Sequence, residues 1–299
     1  DDDLTAGKGK GAGDREAHDA RSDHDAIDVF HGCMLLDRRA EGGNLPGQLN
    51  GALVTGAGTR IGRALAMALA EDGWFVFVHY LASGEEAERT VAEIEARGGR
   101  ALALKADLAS PAEAEALVGR CVAPGVALTC VVNSASLFRL DRAPTAGVEL
   151  FDQHMAVNLR APLLLSQALA RQLPEDRTGL IVNLLDQKLY NLNPDFLTYT
   201  LSKIGLQGLT TLLAQAFAPR LRVAGIAPGL TLRSGSQTDA RFAEQHTQNP
   251  LGIGVTPDDL VRALRFIVAT PTFTGDTLIV DSGEHLTGRP RDIAFHKKK

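Results

Sequence analysis

The sequence predicts an α/β domain built on a doubly wound, parallel sheet of seven strands with helices on both faces. Three observations carry this expectation. Short apolar runs alternate with longer helix-patterned stretches between residues 51 and 280, a glycine-rich turn separates the first run from the first helix, and turn residues close nearly every run. Apolar runs of that kind suit parallel strands buried on both faces, and alternation with crossover helices is the signature of a parallel sheet.

The elements follow in order. Residues 52–54 form the first strand, and Thr55-Gly56-Ala57-Gly58-Thr59-Arg60-Ile61-Gly62 leads into an Ala/Leu-rich helix through residue 70. Strand, glycine turn and helix in that order make a phosphate cradle, because small residues let the backbone approach a pyrophosphate and the helix N-terminus offers N–H groups. Residues 74–80 are the second strand, 85–97 a polar-faced helix, and 100–105 a third strand ending in Ala106-Asp107-Leu108. Ser110-Pro111 opens another helix, with Ser as N-cap and Pro at the first helical position. Residues 126–132 are the fourth strand, ending in Asn133-Ser134-Ala135-Ser136, and 151–173 read as one long helix. The apolar run 180–185 is the fifth strand. A polar segment with Asn193-Pro194 breaks the chain, and a helix runs from Thr198. Residues 221–226 form the sixth strand, ending in Pro228-Gly229, and 230–254 are polar and without clear period. Thr256-Pro257-Asp258-Asp259 starts the last helix and 277–280 the seventh strand. The whole is a Rossmann-type single domain with ligand at the carboxyl edges of the strands.

Composition bounds the function. A chain of 299 residues with 44% hydrophobic content suffices for one large core. No apolar run reaches the ~18 residues of a membrane span. The start, DDDLTAGKGKG, is read as neither a secretory signal nor a transit peptide. Cys33, Cys121 and Cys130 show no metal-type spacing and are odd in number, which points to a reducing, cytoplasmic compartment. Residues 1–50 hold eleven acidic against six basic residues and the remainder 25 of each, so the body is formally neutral and gives no electrostatic case for nucleic acid. Residues 1–48 are expected to be a flexible arm, 49–283 the domain, and 284–299 a basic, solvated C-terminal extension. Asp23, His24, Asp25, Asp28, His31 and Cys33 have the composition of a ligand set, but nothing fixes them in space and no metal is expected.

Tyr199 and Lys203 stand four apart on a helix and therefore share a face. An ammonium near a phenol favours the phenolate, so the expectation is a lowered tyrosine pKa and a proton donor usable near neutral pH. With Thr55-Gly56, Asp107, Asn133, Asn158, Tyr199-x-x-x-Lys203 and Pro228-Gly229 in this order, residues 51–283 resemble the short-chain dehydrogenase/reductase family. The resemblance implies that Tyr199 is the acid, that Lys203 binds the nicotinamide ribose and tunes it, and that Asn158 helps hold a relay water. It also implies a nicotinamide cofactor held by Thr55, Gly56, Arg60, Ile61, Gly62, Asp107, Leu108, Asn133, Ser134, Ala135, Pro228, Gly229 and Leu230, a lid in 230–254 and a homotetramer contacting through the long fourth and fifth helices.

Three departures narrow the resemblance. Asp186 stands thirteen residues before the tyrosine where the family has serine, Arg60 replaces the middle glycine of the turn, and the second strand ends His79-Tyr80 with Ser83 soon after. All three resemble the pteridine reductase branch, including the bacterial dihydromonapterin reductases, in which the Ser136-Leu137-Phe138 segment would line a pterin slot. His79, Tyr80 and Ser83, with no acidic residue at the strand end, are expected to receive the 2′-phosphate of NADPH; a buried histidine satisfied by backbone is the competing reading. Asp107 is read either as an acceptor for the adenine amino group or as a cap toward Ser110.

Asp186 also has a physical meaning of its own. In ketone reduction oxygen becomes negative, and a carboxylate within ~4 Å opposes that charge by several kcal/mol in a partly desolvated site. Reduction of a ring C=N bond instead makes a nitrogen that must gain a proton. A desolvated carboxyl can supply it directly or through Tyr199, and an ionised one can accept from ring N–H groups. The leading expectation is an NADPH-dependent reductase of a dihydropterin or dihydrofolate-like ring, with Arg60, Ser136, Phe138, Asp186 and Tyr199 facing substrate. The alternatives are a carbonyl reductase that tolerates Asp186 and a catalytically silent NADPH-binding protein.

Overall fold

The computed structural model describes residues 49–233 and 237–295. The N-terminal arm 1–48, its Asp/His/Cys cluster and the lysines 297–299 lie outside the described residues.

Seven parallel strands form one sheet in the order β3-β2-β1-β4-β5-β6-β7. They are β1 (Leu49–Val54), β2 (Phe75–Tyr80), β3 (Arg100–Lys105), β4 (Val126–Asn133), β5 (Gly179–Leu184), β6 (Leu221–Pro228) and β7 (Thr277–Val280). The Rossmann-type architecture expected from the alternation is present. The strand order reverses between β1 and β4, and the crevice at such a switch point is where this class of sheet binds ligand.

Successive side chains along each strand enter opposite faces, and both faces are packed. Leu53, Phe77, Val131, Ile181 and Val223 meet α3 (Pro111–Arg120), α5 (Ala161–Gln172) and α6 (Leu197–Phe217) through Leu117, Leu165 and Leu213. Val54, Val76, Val78, Val132, Val182 and Ile226 meet α1 (Arg60–Glu71), α2 (Gly84–Ala96) and α8 (Pro257–Ala269) through Leu65, Ile94 and Leu264. Each fully buried side chain of this size contributes roughly 1.5–3 kcal/mol. Exposed pairs such as Arg97–Glu71 and Arg89–Glu85 contribute about 0–1 kcal/mol each. The fold therefore rests on the two apolar layers.

Local signals placed several helices. Ser110 caps α3 by accepting from the Glu113 N–H, Pro111 is its first residue, and Thr256 with Asp259 forms a capping box at the start of α8. Two expectations are corrected. The helix read over 151–173 is α4 (Val148–Met155), a π turn over Ala156–Arg160, and α5. The stretch 230–254 carries a helix, α7 (Asp239–His246), whose Thr238 N-cap accepts from the Arg241 N–H. Its eight residues are too short to stand out by periodicity.

Candidate active site

The glycine turn after β1 is a cradle that only small residues allow. Gly56 has φ +64°, and a Cβ at Gly62 would lie 2.3 Å from the Gly56 carbonyl oxygen. Arg60 occupies the left-handed region at φ +57°, which explains why a glycine is ordinary at that place in the turn. Its guanidinium donates to the Arg233 carbonyl at 2.6 Å, so the side chain spans from the glycine turn to the segment after β6. Thr55 Oγ1 accepts from the N–H groups of both Ser134 and Ala135 at 3.0 Å, tying the ends of β1 and β4 together. Asn133 Nδ2 donates to Asn183 at 2.8 Å, while its Oδ1 is buried without a partner among the described residues.

His79 settles into the competing reading. Its Nδ1 accepts from the Gly56 N–H at 3.1 Å and its Nε2 lies 3.1 Å from the Ala106 carbonyl, so Nε2 carries the proton. Burial lowers its pKa to about 4. The ring is a neutral brace for the glycine turn, and the expectation that it meets a phosphate is corrected: both nitrogens are taken by backbone. Ser83 lies next to Gly58, where an added Cβ would come within 2.9 Å of Ser83 Oγ, and Tyr80 is half-buried beside it. Asp107 Oδ1 accepts from the Ala109 N–H at 2.8 Å in a local turn ahead of the Ser110 cap of α3, and Leu108 is buried. Ile61 is half-buried in the first turn of α1. At the end of β6, Pro228 closes the strand, Gly229 approaches Asp281 too closely for a side chain, and the Leu230 N–H donates to Glu284 at 3.1 Å. Burial raises the Glu284 carboxyl to about 7.

Asp186, Tyr199 and Lys203 come together between the end of β5 and the start of α6. Tyr199 Oη donates to Asp186 Oδ2 at 2.8 Å, and the Lys188 N–H donates to Asp186 Oδ1 at 2.8 Å. Lys203 Nζ donates to the Leu184 carbonyl at 2.7 Å and stands 5.8 Å from the Tyr199 ring centroid. Desolvation, the largest cause, raises the Asp186 carboxyl above its usual range. Desolvation also lowers Lys203 to about 8. The expected lowering of the Tyr199 pKa is corrected: burial first, then the adjacent Asp186 charge, push it well above 10. The phenol is held protonated and is joined to a carboxyl of raised proton affinity, an arrangement suited to delivering a proton.

Asn158 sits in the π turn, a feature frequent at functional sites. Its Oδ1 accepts from the Leu137 N–H at 2.8 Å, and its Nδ2 donates to the Leu137 carbonyl at 2.9 Å and to Ser202 at 3.0 Å. The side chain thus fixes the segment after β4 and is spoken for, so the relay role expected of it does not lie with its amide. Ser136 of that segment donates to Asn158 Oδ1 at 3.4 Å. Phe138 is 43% exposed, stacks on Phe196 at 4.3 Å and meets the Tyr199 ring edge-on at 4.7 Å. The structure thus brings Asp186, Lys203 and Phe138 together around Tyr199, with Ser136 on the segment that Asn158 fixes.

Residues 50–244 match the family model of the short chain dehydrogenases. The chain belongs to the short-chain dehydrogenase family. Among curated relatives, 3-oxoacyl-[acyl-carrier-protein] reductase FabG of Staphylococcus aureus (strain Mu50) is 31% identical over 240 residues, covering 79% of this chain and 98% of that protein. The 3-oxoacyl-[acyl-carrier-protein] reductase of Synechocystis sp. is 31% identical over 237 residues, covering 78% and 95%. Among solved structures, FolM alternative dihydrofolate reductase 1 from Brucella canis, complexed with NADP, is 38% identical, with a TM-score of 0.76 over 79% of this chain and 94% of that chain.

This short-chain dehydrogenase also carries residues at its site that sequence reading missed. The C-terminal extension, expected to be solvated, is packed through residue 295 against the turn after Asp186 and the start of α6. Arg291 donates twice to buried Asp195, at 2.7 Å each, and Lys188 Nζ reaches Asp292 at 3.1 Å and Asn193 at 2.6 Å. Phe295 packs against Phe196, with Arg142 and Arg291 over its ring. Arg289 joins Glu284 at 3.3 Å. Arg241 and His246 of α7 donate to or pair with backbone carbonyls of Ala294 and Val255. The partners of Arg291, Asp292 and Phe295 lie about a hundred residues upstream, so no local pattern announces them.

Proposed function

We propose that this chain is an NADPH-dependent reductase that saturates a C=N bond in a dihydropterin or dihydrofolate-like ring. The single observation that carries the reading is the 2.8 Å hydrogen bond from Tyr199 to the desolvated carboxyl of Asp186. The 38% identity to a FolM alternative dihydrofolate reductase 1 complexed with NADP supports both substrate class and cofactor.

The residues present fit a dinucleotide. Gly56 and Gly62 leave room that a Cβ would fill, the Thr59 side chain makes no cap bond to the first turn of α1, and buried Asn133 Oδ1 lacks a partner among the described residues. In the proposal Thr55, Gly56, Arg60, Ile61, Gly62 and Ser83 hold the phosphates, Tyr80 contributes through its backbone, Asp107 and Leu108 meet the adenine, and Asn133, Ser134, Ala135, Lys203, Pro228, Gly229 and Leu230 meet the nicotinamide half. When bound, NADPH supplies the hydride for a ring carbon. Phe138 offers a flat apolar face to the heterocycle. Asp186, protonated through its raised proton affinity, supplies the proton to the ring nitrogen directly or through the Tyr199 phenol, and is left as the carboxylate that regains a proton from solvent. Lys203 keeps a positive charge close by.

A second reading is favoured by the relatives named 3-oxoacyl-[acyl-carrier-protein] reductases. In it the substrate is a carbonyl compound, and Asp186 opposes the developing alkoxide. Stopped-flow or steady-state NADPH and NADH oxidation with dihydropterins, dihydrofolate, simple ketones and a 3-oxoacyl thioester separates the two. Turnover confined to carbonyl compounds would remove the pterin proposal.

The proposed assembly is a homotetramer, supported by exposed Val148 and Phe151 on α4 and Leu201, Ile204 and Leu212 on α6. Sedimentation velocity on the full chain tests it, a monomer being the contrary result. The proposed compartment is the cytoplasm. Among the described residues Cys121 and Cys130 are buried free thiols pushed up to about 12, and no helix is long and apolar enough to cross a membrane.

A further inference from the structure

Phe196, the residue from which α6 starts, adopts φ +55°, a conformation a bulky side chain takes at a cost of about 1–3 kcal/mol and keeps only where its surroundings over-determine it. Those surroundings join Phe138, stacked on the Phe196 ring at 4.3 Å, and Arg142, 3.5 Å from Asp195, to the C-terminal segment. Asp195, the preceding residue, is almost fully buried and is held by the Arg291 guanidinium and by the Asp292 N–H at 3.0 Å. Phe295 packs on the Phe196 ring, and Lys188 Nζ lies 5.3 Å from its centroid. Three residues beyond Phe196 is Tyr199.

The same segment reaches the other member of the proton pair. Asp186 N-caps the short 3-10 turn Gln187–Tyr190 and accepts from the Lys188 N–H. The Lys188 side chain, 3% exposed, leaves that turn and ends on Asp292 Oδ2 and Asn193 Oδ1. Asp292 Oδ1 is in turn fixed by the Ala294 N–H at 3.0 Å. One residue thus grips the turn that carries Asp186 with its carboxylate and the strained start of the Tyr199 helix with its backbone.

We propose that Asp292 is a positioning residue of the reductase: through Lys188 and Asp195 it sets the alignment of Asp186 with Tyr199. It touches neither reacting group. The proposal rests on the reading that these two residues handle the proton; with a carbonyl acceptor that proton is the one of Tyr199, at whose helix start Asp292 holds Asp195. The charged and titratable groups facing Asp186 are Tyr199 and Lys203 from α6, Lys188 of its own turn, Glu284 from the 3-10 turn after β7, and Asp292. Asp292 is among those whose charge raises the Asp186 carboxyl, so its removal moves that carboxyl down.

The test uses the full chain and the fastest acceptor found among dihydropterins, dihydrofolate, ketones and a 3-oxoacyl thioester. If that acceptor is a ketone, the pterin reading falls while this test still runs. Asp292→Ala is expected to lower kcat about tenfold or more, as small misplacements of reacting groups do, with the NADPH Kd from fluorescence titration within about twofold. The alkaline limb in kcat that belongs to Asp186, distinct from the Lys203 limb in kcat/KM, is expected at lower pH than that of the parent. Asp292→Glu is expected to recover most of the rate. Should Asp292→Ala not fold, the double variant Lys188→Met/Asp292→Leu removes both charges, a replacement buried pairs tolerate, and the same loss of kcat is expected. Retention of kcat and of the alkaline limb, or a loss of kcat matched by an equal loss of NADPH affinity, overturns the proposal.

Discussion

A carboxyl stands 2.8 Å from the phenol that the family resemblance makes the acid, at the place where serine is usual. Desolvation raises its proton affinity and, with its charge, that of the phenol. Asp186→Ser is therefore expected to cut the rate on a dihydropterin by about two orders of magnitude, within the range for loss of a general acid, while improving turnover of a ketone; steady-state kinetics on both acceptors checks this. The pH profile gives a second test. Lys203, lowered to about 8 by burial, is charged below that pH and neutral above it. Accordingly kcat/KM, which reports the free enzyme, is expected to decline as pH rises through about 8, and Lys203→Arg is expected to remove that limb. Asp186, Tyr199 and Lys203 were legible in the sequence because their offsets are local and their chemistry is specific. The direction of the Tyr199 shift was not, since it depends on burial and on which way the Lys203 ammonium points, and that ammonium bonds the Leu184 carbonyl.

At the scale of elements, the glycine turn and the C-terminal segment hold the site from two sides. A Cβ at Gly62 would lie 2.3 Å from the Gly56 carbonyl, so Gly62→Ala is expected to weaken NADPH binding by about tenfold or more, equivalent to about 1.4 kcal/mol, measurable by fluorescence titration. Asp195 bears on folding. Hydrogen bonds from Arg291, the largest cause, hold its carboxyl below its usual range. A depressed folded value means that its stabilisation is present above the unfolded value and is lost as pH falls through the folded one. Asp195→Ala is expected to lower stability at pH 7, by less than the loss of a fully buried pair would, because the Arg291 side chain is about half exposed. The difference from the parent, read by urea denaturation, is expected to shrink on acidification below pH ~4. The glycine turn, the Ser110 cap and the Thr256 capping box could be read from sequence because each is complete within a few residues. The docking of Arg291, Asp292 and Phe295 could not, because their partners lie about a hundred positions upstream. The basic residues of the tail read as solvated until the buried Asp195 is seen to claim one of them.

For the molecule as a whole, reversal of strand order between β1 and β4 brings the glycine turn and the Asn133 segment to one crevice, and β5 delivers Asp186 beside them. Alternating apolar runs made that architecture legible, whereas π and 3-10 insertions that bend the chain around the site left no periodic trace. Family membership fixes a common scaffold, but scaffolds of this kind host many substrates, and relatives of this chain include both 3-oxoacyl reductases and an alternative dihydrofolate reductase. The feature of this chain that carries the pterin proposal is the acidic partner of its phenol. The most direct measurement is NADPH oxidation by the full-length parent protein with a dihydropterin and with a 3-oxoacyl thioester, compared as kcat/KM. A ratio favouring the dihydropterin by about a hundredfold or more, a difference of about 2.7 kcal/mol, is the expected result, and a ratio favouring the thioester would contradict the account.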